Sequence, residues 1–309
     1  MIVIKNINEL QEIYSEDKVQ VTIGNFDGVH KGHREFLLRI SDDCKKTKSK
    51  FVVITFVPHP VHILNAQTGF LINSYTERRE LLAQCGVDYL LEVDFTRDFS
   101  TLSPESFFQK FLFTYRGIDK VYLGHDFAFG ANKSGDYKLA KILCEKENIN
   151  LILQDEFLLN NHSVSSSIVR SAISSGEIER ANSLLGRPYF LSGRVIKGQG
   201  RGKQIGFPTA NIDYGNELII PARGVFITKT NIHDMIYNSV TNIGMNPTFN
   251  LGQAIHIETH LLDFTRDIYG EEMRVSFFKK IRDEKKFSSV NDLITQIDKD
   301  VQAAKEFFK

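Results

Sequence analysis

The 309-residue sequence carries 38 lysine and arginine side chains against 38 aspartates and glutamates, a formal net charge of zero. That balance excludes a global field able to hold a nucleic-acid backbone or an anionic membrane, so any phosphate recognition has to be local. The three cysteines, Cys44, Cys85 and Cys144, form no CxxC pair and are odd in number, which excludes a zinc ribbon and a closed disulfide framework and fits a reducing cytoplasm.

The length suits two domains, each with its own core. The opening stretch MIVIKNINELQEIY has early acidic residues and no long apolar core, and the greasiest later run, FVVITFVPHPVHIL, is short and broken by Pro58 and Pro60. Neither a membrane span nor an export signal is expected. From Val19 to about Asn160, the runs VQVTIGNF, FVVITF, VDYLLEV, KVYLG and NINLIL alternate with segments of helical period, which predicts an α/β domain with a parallel sheet. The basic run KKTKSK at 45–50 reads as a solvated helix end or loop. After SSSIVRSAISSGEIERANSLLGRPY the texture changes. Glycine turns become frequent, and FLSGRVIKG, GVFITKT, SVTNIG and AIHIETHLLDF predict antiparallel strands in a barrel or sandwich. The tail SSVNDLITQIDKDVQAAKEFFK predicts an amphipathic helix capped at Ser289 or Asn291, with Leu293, Ile294, Ile297 and Val301 turned to the barrel. No internal repeat or low-complexity segment is present.

Where VTIGNFDGVHKGHREFLL passes from strand to helix, His30 and His33 stand three apart, on one side of a first helical turn. Gly24 and Gly28 let the backbone turn tightly, and the positive helix end with its free N–H groups favours an anion. Two imidazoles there suit a phosphate chain. Taken alone, the pair also fits a helix cap with an exposed partner, or half of a metal site for which no spaced third ligand is found.

Other segments are open in the same way. TFVPHP places Pro58, His59 and Pro60 at the carboxyl edge of a sheet, where ligands of open α/β domains collect. In GHDFAFG, Asp126 can accept from ribose or adenine, while Phe127 and Phe129 are ligand faces or core. The SSS of SSSIVR, followed by a helix, reads by itself as an N-cap. GQGRGKQIGFPTAN fails the Walker pattern, with Lys197 for its first glycine and Gln204 for its serine or threonine, and it fails GxGxxG, which leaves a phosphate flap or a hairpin turn. In HIETHLL, alternation turns Ile257 and Thr259 to one face and Glu258 to the other, where ordinary strands place a glutamate on a wet face.

GNFDGVHKGH resembles the HxGH signature of nucleotidyltransferases. With TFVPHP (55–60), GHDFAFG (124–130), SSSIVR (165–170), GFPTAN (206–211), NIGMNPTF (242–249) and IETHLLDF (257–264) in order, nearly the whole chain resembles the bifunctional prokaryotic riboflavin kinase/FAD synthetase family. The resemblance implies a Rossmann-like α/β nucleotidyltransferase domain over 1–184 and a small antiparallel β-barrel riboflavin kinase domain over 185–309, ending in a helix. It implies that riboflavin and ATP give FMN at the barrel, and that FMN and ATP give FAD at the first domain, both with Mg2+. These are small-molecule substrates, and no nucleic acid or membrane is a partner.

For adenylyl transfer, the resemblance assigns ATP to Gly24, Phe26, Asp27, Gly28, His30, His33, Asp126, Ser166, Ser167 and Arg170, with Ser167 standing where the family usually has threonine. It assigns FMN to Phe56, Pro58, His59, Pro60 and Phe127. The phosphate nucleophile of FMN is already charged, so that step needs alignment and donors rather than a strong base. Phosphorylating a neutral ribityl hydroxyl does benefit from a base and a metal. There the resemblance implies Glu258 as base and Thr209 and Asn211 as Mg2+ ligands. It places Gly198, Gly200, Gly202, Lys203, Gly206, Pro208, Asn246, Thr248 and Arg282 around ATP and flavin. The competing readings are an FAD synthetase with an inactive flavin-binding barrel, and a flavin sensor without turnover.

Overall fold

The computed structural model describes residues 1–9, 18–113, 117–198, 200–248 and 252–309, with backbone alone at 246–248 and 252–254. They form two compact units, residues 1–68 with 74–165, and residues 69–73 with 166–309.

In the first unit the chain runs β1 (Ile2–Ile4), β2 (Val19–Ile23), α1 (Lys31–Thr47), β3 (Lys50–Val57), α2 (Pro60–Asn65), α3 (Tyr75–Ala83), β4 (Tyr89–Asp94), α4 (Pro104–Phe108), β5 (Ile118–Gly124), α5 (Tyr137–Lys146) and β6 (Asn150–Gln154). The small ladder of β7 (Leu158–Leu159) and β8 (His162–Ser163) follows. The sheet has the order β1-β4-β3-β2-β5-β6, parallel throughout. A sheet covered on both faces needs apolar residues on both, which is why β2 is buried at every position. Val19, Val21, Ile23, Val52 and Ile54 pack on one face, and Phe51 and Val53 join Leu37, Ile40 and Leu82 on the other. The polar exceptions are satisfied: Gln20 donates to Thr47 Oγ1 (2.9 Å) and accepts from the Tyr122 hydroxyl (2.8 Å), and Thr22 donates to the Tyr122 carbonyl (2.9 Å).

From β2 the chain steps outward to β3 and β4 and then returns to lay β5 on the other side of β2. The sheet order therefore switches direction at β2, and the carboxyl ends of β3, β2 and β5 border the crevice where such sheets take their ligands. The basic run ends α1 as expected: Lys45 and Lys46 lie in its last turn, and Lys48 is its left-handed cap.

The second unit contains α6 (Ser166–Ser174), α7 (Ile178–Leu185), β9 (Tyr189–Ile196), α8 (Arg201–Gln204), β10 (Ala210–Asp213), β11 (Gly224–Ile232), β12 (Met235–Thr248), β13 (Gly252–Leu261), β14 (Glu272–Arg282) and α9 (Val290–Phe307). Its strands close an antiparallel barrel in the order β10-β13-β12-β11-β14-β9. Phe226, Phe277, Tyr189 and Leu191 are buried beside a chain of buried hydroxyls: Thr230, Ser239, Thr228, Thr241 and Thr259 are linked at 2.7–3.0 Å. Helix α9 is capped by Ser289, which accepts from the Asp292 N–H (3.1 Å), and packs Ile297, Val301 and Ala304 on Val225, Ile227, Val240 and Leu262.

Residues 69–73 belong to this unit through hydrogen bonds to 216–219 and the Leu71–Leu218 bridge. Helices α6 and α7 group with the barrel as well, Asn182 donating to the Phe277 carbonyl (2.9 Å) and accepting from the Tyr189 N–H (2.7 Å). The compact units accordingly meet at 165/166, ahead of the 184/185 division read from the sequence.

Candidate active site

At the carboxyl end of β2, His30 caps α1 from outside it, with φ −67° and ψ 173°, and its Nδ1 accepts from the His33 N–H at 3.2 Å. This corrects the expectation that both histidines lie within the first turn: the cap residue needs extended backbone, and the helix begins at Lys31. The imidazoles still meet. They stack with centroids 3.6 Å apart and 16° between planes, and Phe26 presents its ring at 5.2 Å to His33. A Cβ on Gly32 would stand 3.3 Å from the His30 ring and 3.2 Å from Phe157, so glycine is what lets the stack sit over the helix mouth. The turn itself is left-handed at Phe26 (φ 47°), Gly28 (φ 82°) and Val29 (φ 37°), with Asp27 buried inside it. Gly24 serves differently, since a Cβ there would meet the Phe26 ring at 3.0 Å.

At the end of β3, a cis Val57–Pro58 bond leads to His59, which caps α2 by accepting from the Val61 N–H (3.2 Å) while its own N–H donates to the Tyr75 hydroxyl (2.8 Å). Pro58 and Pro60 flank it half-buried, and Phe56 packs among Phe95, Phe99 and Phe107. At the end of β5, Asp126 is exposed and Phe127 half-buried on Phe129, which is core. Three of the sequence motifs thus stand at neighbouring strand ends. SSSIVR straddles the division, with Ser165 in the first unit and Ser166 to Arg170 in the second. Ser166 opens α6 and Ser167 is exposed, while Arg170 donates through Nε to the Phe70 carbonyl (3.0 Å) and lies 3.7 Å over the Phe70 ring.

In the barrel, Asn211 on β10 is the cross-strand partner of Glu258 on β13, which is in turn the partner of Asn242 on β12. Registered partners share a face, so amide, carboxylate and amide form one row. Ile257 and Thr259 are buried and Glu258 is not, as alternation predicts. The loop before β10 lies on that row: a Cβ on Gly198 would come within 2.2 Å of the Asn211 amide, and one on Gly202 within 3.4 Å of Thr209 Oγ1. In place of a hairpin turn the glycine-rich loop holds the short helix α8, with Gly200 (φ 69°) before it, Gly206 (φ 89°) after it and Lys203 exposed on it. The Pro208 carbonyl lies 2.8 Å from His260 Nδ1, which ties the loop to β13. A cavity of about 320 Å³ adjoins Asn211, with Tyr214, His256 and Ile257 in its wall, and burial pushes the Tyr214 hydroxyl pKa up. Arg282 grips the buried Asp300 carboxylate through Nε and Nη2 at 2.8–3.2 Å, while its Nη1 donates to the Asp283 carbonyl at 3.1 Å. Asn246 and Thr248 stand on β12 by their backbone, and their side chains lie outside the described residues.

Sequence reasoning gave no role to Asn242, to Glu284, whose carboxylate covers Gly244, or to the buried Arg78 of α3. Glu77, Arg78, Leu81 and Leu82 are the buried positions of one helical stripe, so the 3.6-residue period was the available signal.

A family model described as FAD synthetase matches residues 12–168, and one described as riboflavin kinase matches residues 185–308. Relatives named bifunctional riboflavin kinase/FMN adenylyltransferase are 35% identical in Escherichia coli K12 (100% of this chain, 98% of the relative) and 34% in Bacillus subtilis 168 (94% and 93%). That of Listeria monocytogenes is 36% identical (93% and 92%). A crystal structure of a macrolide-efflux protein from Streptococcus pneumoniae shares the fold over 98% of both chains, with a TM-score of 0.87 and 31% identity. Among the described residues no helix is long and apolar enough to cross a membrane. Matched end to end by these relatives, and by one family model for each half, the chain belongs to the bifunctional riboflavin kinase/FMN adenylyltransferase family.

Proposed function

We propose that this chain carries out both reactions of its family, phosphorylating riboflavin to FMN within 185–309 and adenylylating FMN to FAD, with release of pyrophosphate, within 1–184. The observation that carries the reading is that each chemistry finds its own kind of polar cluster in its own unit: stacked imidazoles at a helix mouth in one, and a carboxylate between amides in the other.

For adenylyl transfer, His30, His33 and the positive mouth of α1 hold the phosphates of ATP and spread the charge that develops on them. Phe26, Asp27 and the glycines at 24 and 28 shape that turn. Asp126 takes the nucleoside, and Phe56, His59 with its flanking prolines, and Phe127 take the flavin. Ser166, Ser167 and Arg170 are assigned to phosphate.

For phosphorylation, Glu258 accepts the proton of the ribityl hydroxyl as that oxygen attacks the γ-phosphorus. Thr209 and Asn211 offer neutral hard oxygens beside it, a donor set that suits Mg2+ completed by phosphate oxygens and water. Among the described residues no group of three or more His, Cys, Asp or Glu side chains is placed to hold an ion by itself. Bound Mg2+ neutralises charge on the transferring phosphates. The loop of Gly198, Gly200, Gly202, Lys203 and Gly206 covers the nucleotide, Pro208 anchors the loop to β13, and Asn246, Thr248 and Arg282 complete the ATP and flavin surface. Three buried free cysteines support a reducing, cytoplasmic setting.

Incubation with riboflavin, ATP and Mg2+, with flavins separated by chromatography, is expected to yield FMN and then FAD. FAD from supplied FMN without FMN from riboflavin would reduce the chain to its first activity. Flavin binding with neither product would make it a sensor.

A further inference from the structure

Arg78 is 2% exposed, yet it lies on none of the strand ends that carry the motifs. Its terminal nitrogens leave α3 in two directions: Nη1 donates to the Asn25 carbonyl at 3.0 Å, and Nη2 lies 3.4 Å from the Phe56 carbonyl. Asn25 begins the left-handed turn that ends at His30, and Phe56 begins the segment that ends at His59. One guanidinium therefore spans the roots of both loops. The Asn25 carbonyl takes a second donor, Thr55 Oγ1, at 3.4 Å.

In a trans peptide C=O and N–H point in opposite directions, so fixing the Asn25 carbonyl also fixes the Phe26 N–H and the entry into backbone that L-residues resist, φ 47° at Phe26 and 37° at Val29. Strained turns of this kind persist only where their surroundings over-determine them. Neighbouring Arg79 does none of this. It is bound by Nε (2.8 Å) and Nη2 (2.5 Å) to Glu92, which stands 3.9 Å from Arg78 and offsets part of its buried charge.

We infer that Arg78 is a positioning residue for adenylyl transfer, holding the histidine turn and the His59 segment in fixed register without touching substrate. The inference rests on the adenylyltransferase reading above. Arg78→Lys keeps the charge but replaces the two-armed fork with a single ammonium. In the full chain with Mg2+, kcat for FAD from supplied FMN should fall tenfold or more, while FMN formation from riboflavin, a reaction of the other unit, stays within twofold of wild type and unchanged amide protection across β4 to β6 reports an intact first unit. Amide hydrogen exchange should quicken at 25–30 and 56–59 and nowhere in the barrel. Arg79→Lys should leave both the rate and the exchange unchanged.

FAD formation by Arg78→Lys within twofold of wild type would overturn the inference, as would an equal loss in Arg79→Lys or a parallel loss of FMN formation. A wild-type chain that makes no FAD would instead remove the underlying reading, and this inference with it.

Discussion

His30 carries two duties that a substitution can separate. Its Nδ1 caps α1, and its ring stacks on His33. Asparagine is among the best cap residues, whereas replacing a cap by alanine costs about 0.5–2 kcal/mol. His30→Asn should therefore keep most of the stability that His30→Ala loses in urea unfolding, while both variants lose FAD formation and retain FMN formation. Stability loss with unchanged FAD synthesis in the alanine variant would reduce His30 to a cap. Glu258 offers the complementary case. It sits on the outer row of β13 with no core to disturb, so Glu258→Gln should fold normally and slow FMN formation by about 10²–10⁴, the usual contribution of a positioned base, while still adenylylating supplied FMN. Both residues were legible in the sequence as motif members. The cap geometry was not, because HxxH spacing fits a first turn as well as a cap and one of its neighbours, and only backbone dihedrals distinguish them.

Ion pairs join helices to the sheets they pack on. In the first unit Asp43 of α1 accepts from Lys120 (2.5 Å) and the Tyr122 hydroxyl (2.8 Å) on β5. The Lys120 hydrogen bond, aided by those of Tyr122 and Gln20, outweighs burial and holds the Asp43 carboxyl below its usual 3.8. A folded pKa below the unfolded one contributes stability above the unfolded value and loses it as pH falls through the folded one. Wild-type unfolding free energy should therefore decline below about pH 4, and Asp43→Asn, already lacking the charge, should decline less over that window.

In the barrel, Arg282 of β14 grips Asp300 of α9, with 19% and 3% of their side chains exposed. Asp300→Ala strands the arginine, and chemical denaturation should show a loss of about 3 kcal/mol, the lower end for a broken buried pair because Arg282 keeps some contact with water. Such a pair was invisible in KKIRDEKKF, where Arg282 reads as one charge among many. The strands that escaped notice have related reasons. β1 is three residues long, β10 hides within a loop motif, and β14 mixes its apolar alternation with basic residues facing out. Among the legible strands, β2, β3 and β4 are buried on both faces and read as continuous apolar runs, while β9, β11, β12 and β13 read as short apolar runs between glycine turns.

Each compact unit has its own core, and their division at 165/166 groups α6 and α7 with the barrel, whereas the two family models leave residues 169–184 between them. Helices α6 and α7 show ordinary amphipathic period, and nothing in that period says which core they face. With one reaction assigned to each catalytic module, FMN is the only species that must pass from the first step to the second. If it passes through solution, the two activities need not share a chain. A mixture of Glu258→Gln, which adenylylates, and His30→Asn, which phosphorylates, should then convert riboflavin to FAD although neither variant does so alone. At about 1 µM of each, an association rate constant of about 10⁶ M⁻¹s⁻¹ gives an encounter rate of about 1 s⁻¹, slower than a typical turnover of about 10 s⁻¹. The mixture should therefore show a lag of seconds, shortening as protein concentration rises, before FAD accumulates steadily. FMN that built up in the mixture without becoming FAD, while Glu258→Gln still converted added FMN, would mean that product stays with the chain that made it.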